Sequence, residues 1–148
     1  MNLMKNVKVD QVLGYYAAGT TKRTSDIIDM AGYEGVMFVF ELGTTLDTGT
    51  VKAMVEGNAT NSTSGMAELA GCPTVTITAA TAATKSAIVV DVFRPDPKLH
   101  QFLQASITPA VANAVVLGIT AIRYSGRVRP DSVAGLLASA QLVSPAAA

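Results

Sequence analysis

The sequence predicts an all-β protein: an antiparallel β-sandwich or jelly roll of about eight strands with an extended C-terminal tail. Three observations predict it. Apolar residues recur with a period of two along several segments. Three further segments are apolar on both faces and rich in Val, Ile and Phe, which favours strands over helices. Turn-forming clusters of Gly, Pro and Asn punctuate the chain between them.

The elements follow in order. Residues 7–15 and a short stretch at 26–30 read as the first strands. Residues 36–42, 87–93 and 114–122 are the doubly apolar segments, expected either centrally in a sandwich or with one face covered by another subunit. Residues 50–56 alternate cleanly, with Val51, Ala53 and Val55 to one side and Thr50, Lys52 and Glu56 to the other. Residues 74–78 repeat this with Val75 and Ile77 inward. Residues 99–107 place Leu99, Leu103, Ala105 and Ile107 on the core face, and His100, Gln104 and Ser106 on the opposite face with Phe102. Turns are expected at 32–35, 43–49, 57–65 and 94–97, the last a Pro-Asp-Pro corner whose prolines cannot donate to a ladder.

Two stretches lie outside the core pattern. Residues 58–65, Asn-Ala-Thr-Asn-Ser-Thr-Ser-Gly, form a polar loop. The sheet pattern ends near residue 125, dividing the chain into a sandwich domain over 1–125 and a C-terminal arm over 126–148. Within the arm, residues 132–142 have the pattern of a short helix, with Asp131 or Ser132 as N-cap and Leu136, Leu137 and Leu142 as its apolar edge. Such an arm either frays or orders against a neighbouring subunit.

Composition narrows the function. A chain of 148 residues and 15.3 kDa is long enough for one real core. It is 49% hydrophobic and 15% charged, with eleven Lys and Arg balancing eleven Asp and Glu. Zero net charge argues against a polyanion binder and leaves little protection from self-association, so much of the surface is expected to meet copies of itself or a partner. The single Cys72 cannot form an internal disulfide, and no Cys/His cluster has metal-site spacing. Residues 1–10 lack the apolar run of a signal peptide, and no stretch approaches the ~20 apolar residues of a membrane-spanning helix. The expectation is a soluble chain made in a cytoplasm, without membrane or nucleic-acid partners.

No active site is legible, so the reading is non-enzymatic. His100 has no nucleophile placed beside it by sequence, Cys72 reads as a small buried residue, and Asp26, Asp29 and Asp47 read as turn carboxylates rather than calcium ligands. Phosphate-loop, dinucleotide, zinc-hydrolase and serine-hydrolase motifs are absent, and no cofactor is implied. Two glycosylation triplets at 58–60 and 61–63 mark only a polar loop. Between residues 94 and 129 stand five basic residues, Arg94, Lys98, Arg123, Arg127 and Arg129, against the single acid Asp96. They are either ordinary solvated charge or a patch that docks on an acidic protein surface. With Leu136 and Leu137 they make up the candidate interface.

The stretches Ser25-Asp26-Ile27-Ile28-Asp29-Met30-Ala31-Gly32-Tyr33-Glu34-Gly35-Val36, Val90-Asp91-Val92-Phe93-Arg94-Pro95, Thr108-Pro109-Ala110 with Asn113-Ala114-Val115, and Ala121-Ile122-Arg123-Tyr124-Ser125-Gly126-Arg127 followed by Pro130 occur in this order. In that arrangement the chain resembles the small capsid decoration, or cement, proteins of tailed bacteriophages. The resemblance implies a small β-sandwich, often trimeric, that binds the major capsid protein on the outer surface of the head and reinforces the shell. It marks no individual residue as a binding residue, and the segment Asp96-Pro97-Lys98-Leu99-His100-Gln101-Phe102 departs from the pattern. Two alternatives stand beside it. The first is a head–tail joining or tail protein; the second is a carbohydrate-binding β-sandwich used in adsorption, for which Tyr15, Tyr16 and Tyr33 are the available aromatic residues.

Overall fold

Alternation of apolar and polar residues commits each strand to one buried face, and eleven strands in two packed sheets satisfy that requirement among the described residues. A computed structural model describes residues 7–79, 86–124, 138–143 and 146–148. The strands are β1 (Val7–Leu13), β2 (Tyr16–Gly19), β3 (Arg23–Asp29), β4 (Gly35–Thr45), β5 (Thr50–Asn58), β6 (Ala67–Glu68), β7 (Thr74–Thr76), β8 (Ala87–Phe93), β9 (Phe102–Ala110), β10 (Ala114–Tyr124) and β11 (Ala138–Val143). The first sheet runs β1-β10-β4-β8-β11, with β2 also on β10; the second runs β3-β9-β5-β6, with β7 also on β5. The chain is therefore a β-sandwich, as its patterning predicts.

The core lies between the sheets. Val36, Phe38, Phe40 and Leu42 of β4 and Ile88, Val90 and Val92 of β8 face Val51, Ala53 and Val55 of β5 and Leu103, Ala105 and Ile107 of β9, all fully buried. The alternate residues Met37, Val39, Val89 and Ile122 lie on the outer face of the first sheet, half-buried. Segment 114–122 reads as apolar on both faces partly because β10 switches sides. Register shifts around Val116 and Gly118 let Val116 and Ile119 both turn inward despite odd spacing. Gly118 permits this, since a Cβ there would sit 2.7 Å from the Leu13 carbonyl oxygen.

Three expectations need correction. Residues 138–143 form a strand, not the end of a helix: β11 pairs in parallel with β8 from Ala138 opposite Ile88 to Val143 opposite Phe93. Leu142 is buried, and beyond it Ala147 bridges Leu69 while the Ala70 amide donates to the Ala146 carbonyl. Chain-end residues thus close the side of the sandwich that carries β8 and β6. The pattern at 132–142 misleads because Ala and Ser carry little preference, and a partner strand about fifty residues away decides the outcome. The remaining residues expected in the helix, 132–137, lie outside the described residues.

The second correction concerns Leu99 and His100. Strand β9 begins at Phe102, and residues 97–99 form a turn closed by the Asp96 carbonyl, which accepts the Leu99 and His100 amides. Leu99 is consequently exposed and His100 is buried. The imidazole packs on Gly57, where a Cβ would lie 2.6 Å from its Nδ1. Third, Gln104 and Ser106 are buried rather than solvent-facing. A register shift in β3 brings Ser25 against β9: its Oγ accepts the Ala105 amide and its carbonyl accepts Gln104 Nε2.

Cys72 is half-buried beside β5, where Sγ accepts the Val55 amide at 3.3 Å and donates to the Leu69 carbonyl at 3.2 Å. Burial pushes its thiol pKa up, outweighing the Val55 hydrogen bond. Reactivity follows the thiolate. Alkylation by iodoacetamide at pH 8 should therefore be at least about tenfold slower in the folded protein than after denaturation. Equal rates in the two states would contradict this placement.

Candidate functional site at one end of the sandwich

Three chain segments converge at one end: the β3–β4 turn, the β8–β9 loop and the last residues of β10. Sequence dictates the convergence locally. Gly32 adopts φ 82°, a left-handed conformation that closes the turn after Asp29. Asp29 Oδ1 accepts the Ala31 amide, and the Tyr33 amide donates to the Met30 carbonyl. Across the gap the Met30 amide donates to the Gln101 carbonyl at 2.9 Å, Glu34 to Tyr124 at 3.1 Å, and Arg94 to Glu34 at 2.7 Å. Gly35 has no side chain because the Tyr124 ring lies over it; a Cβ would approach Tyr124 Cζ to 2.6 Å. Residues 29–35, Arg94-Pro95 and Arg123-Tyr124 thus meet in a single interlocked corner.

The corner encloses a cleft of about 410 Å³ lined by Met30, Tyr33, Glu34, Arg94, Pro95 and Gln101 among others. Met30 and Pro95 are buried, while Arg94 stands exposed on the rim. Arg94 has φ 50°, uncommon for a residue with a Cβ. Its guanidinium lies 3.5 Å from a Glu34 carboxylate oxygen and 5.1 Å from the centre of the Phe93 ring.

The expected basic surface is divided among three settings. Arg123 is buried: Nη2 donates to Asp10 Oδ2 at 2.6 Å, Nη1 donates to the Asp29 carbonyl at 2.7 Å, and the guanidinium stacks 4.8 Å from the Tyr33 ring centre. It is an internal tie beneath the cleft. Arg94 is on the rim beside Glu34, and Lys98 is exposed in the turn that Asp96 organises by accepting its amide. Two of the described cations are thus paired with acids distant in sequence, Arg123 with Asp10 and Arg94 with Glu34, and do not form a common basic patch. Arg127, Arg129, Leu136 and Leu137 lie outside the described residues. Of the three tyrosines available to a sugar, only Tyr33 lines the cleft; Tyr15 and Tyr16 lie toward the opposite end of β10, where β2 pairs with Ala114 and Val116. Sequence reasoning missed Met30, Pro95 and Gln101 as cleft residues, because long-range bonds such as Met30 to Gln101 and Arg94 to Glu34 bring their segments together.

On the outer sheet face beside the corner, Tyr124 Oη donates to Asp91 Oδ1 at 2.5 Å. Burial, and then this carboxylate, push the phenol far above its ordinary value near 10. The folded pKa exceeds the unfolded one, so this contribution is complete below pH about 10. It declines as the pH rises further, where the unfolded chain loses a proton that the folded chain keeps. Tyr124→Phe should cost about 1–2 kcal/mol at neutral pH and flatten the alkaline fall in urea-unfolding stability. An unchanged alkaline slope would refute this assignment.

Among the described residues no group of three or more His, Cys, Asp and Glu is arranged to hold a metal ion, and no helix is long and apolar enough to cross a membrane. Neither His100 ring nitrogen has a hydrogen-bond partner among them. No protein-family model matches the chain, and no curated protein matches it.

Proposed function

We propose that this chain is a non-catalytic structural protein of a bacteriophage virion that binds the major capsid protein on the outer capsid surface and stabilises the shell, self-associating as a homotrimer. The observation that carries the self-association is the outer face of the first sheet. Val9, Ile122, Met37 and Val39 continue into Val89 across β1, β10, β4 and β8, half-buried or exposed, flanked by Thr120 and by the Tyr124–Asp91 pair. A sheet face of this kind is a candidate protein contact. The resemblance to decoration proteins supplies the virion context, and the rigid two-sheet core suits a reinforcing element.

Magnitude sets what this face can do. Four strands by seven residues span roughly 19 by 23 Å, or roughly 440 Å² of projected area. A stable specific interface needs roughly 800 Å² per partner. The face therefore serves as the centre of a contact that other surface completes.

Quantitative mass spectrometry of purified particles tests the reading. A ratio to the major shell protein near one to one is the expected result, together with particles that open at lower temperature when the protein is stripped. A handful of copies per particle would overturn the reinforcing role and move the protein to the neck or tail.

A further inference from the structure

The end cleft has features that shell attachment does not require. Its lining cation is already engaged, Arg94 by Glu34, as is Arg123 beneath it by Asp10, while the Asp29 carboxylate accepts from the Ala31 amide and Gln101, so no unpaired cation draws an anion into it. Its wall is apolar where Met30 and Pro95 lie and aromatic at Tyr33, whose ring is held from one side by the Arg123 guanidinium. Its rim presents a carboxylate at Glu34, an amide at Gln101 and a guanidinium at Arg94. Gln101 is itself steadied, since Nε2 donates to Asp29 Oδ1 at 3.2 Å.

Strain adds a second observation. Arginine at φ 50° is held in a left-handed conformation unfavourable for a residue with a Cβ, a penalty that glycine would avoid. The Arg94 amide bond to Glu34 holds that conformation, which sets the guanidinium at the rim. Folding needs the turn; it does not need an arginine side chain in it.

We infer that this cleft binds a neutral saccharide, with one pyranose ring lying against Tyr33 and its hydroxyls bonded to Glu34, Gln101 and Arg94. A pyranose has an apolar C–H face and a rim of hydroxyls that donate and accept, which is the complement of this wall and rim. An anionic ligand would have to displace Glu34 from Arg94; a polyhydroxylated neutral one bonds to further lone pairs and N–H groups of the same side chains without breaking that pair. The volume of about 410 Å³ is within the usual range for small-molecule pockets. The backbone bonds across the gap preorganise the site and reduce the ordering cost of binding. One aromatic contact and a few exposed hydrogen bonds give a dissociation constant on the order of 1 mM.

The inference is independent of the virion reading, because it is tested on the isolated chain and the other on particles. The experiment is a titration of the ¹⁵N-labelled protein with the methyl glycosides of glucose, galactose, mannose and N-acetylglucosamine, followed by amide chemical shifts. At least one glycoside should give saturable shifts at Gly32, Glu34 and Gln101. Gln101→Ala should weaken that binding about three- to tenfold with the rest of the spectrum unchanged, as expected for one lost hydrogen bond. Tyr33→Ala should abolish it, while Tyr33→Phe, which keeps the ring and its contact with Arg123, should retain it. Absence of saturable shifts with all four glycosides would overturn the inference. So would shifts centred away from the cleft, equal shifts with glycerol, or affinity untouched by both Gln101→Ala and Tyr33→Ala.

Discussion

Phe40→Asp is expected to abolish folding, while the same substitution one residue earlier, Val39→Asp, should leave a folded chain. Phe40 is fully buried between the sheets beside Phe38, with ring centroids 6.4 Å apart. Truncating such a ring costs about 3–5 kcal/mol, and a carboxylate in that space adds several more. The sum approaches or exceeds the roughly 5–15 kcal/mol that a typical domain has in total. Val39 points the other way, onto the half-buried outer face between Thr120 and Val89. An aspartate there remains hydrated, and its cost to the isolated chain is about 1 kcal/mol. Dispersed amide spectra separate the two variants, and sedimentation then asks whether Val39→Asp has lost self-association. A folded Phe40→Asp protein would refute the facing of β4. A folded Val39→Asp protein that still associates would remove the outer face from the proposed contact.

That contrast rests on the period-two rule, and the rule explains how much was legible. Val51, Ala53 and Val55 are buried as their alternation requires, because one face of β5 meets the core and local sequence reports it directly. Failures occur where a neighbour distant in sequence decides. His100 has the parity of a surface residue only if β9 is extended back to residue 99; the Asp96 turn breaks the count and delivers the imidazole onto Gly57. Residues 138–143 carry no strong strand signal, and only the free edge of β8 makes them a strand. In the same way, a run of basic residues along the sequence contained no information about Asp10, which meets Arg123 from 113 positions away. The cleft was invisible for that reason: its walls are short segments whose only shared property is the hydrogen bonds that join them.

Arg123→Met is the second large effect, expected at about 2–4 kcal/mol of stability. A surface ion pair contributes at most about 1 kcal/mol, but Arg123 is only 7% exposed and its guanidinium serves three segments together. It neutralises Asp10 on β1, satisfies the Asp29 carbonyl at the end of β3 and backs the Tyr33 ring. Methionine preserves much of the stem's packing, so the loss reports the charged head: an unpaired carboxylate, an unbonded carbonyl and an unsupported ring. Asp10 is partly exposed and regains water, which keeps the expected cost below that of a wholly buried pair. Adding Asp10→Asn should recover about 1 kcal/mol by removing the stranded charge, a non-additivity that urea unfolding of the four-member cycle measures. Arg123→Lys should lose more than half as much as Arg123→Met, because an ammonium lacks the planar fork that spans Asp10 Oδ2 and the Asp29 carbonyl while stacking on Tyr33. A change below about 0.5 kcal/mol in Arg123→Met would place Arg123 with ordinary surface charge. It would then be available to a partner, and the corner that positions the cleft would need a different tie.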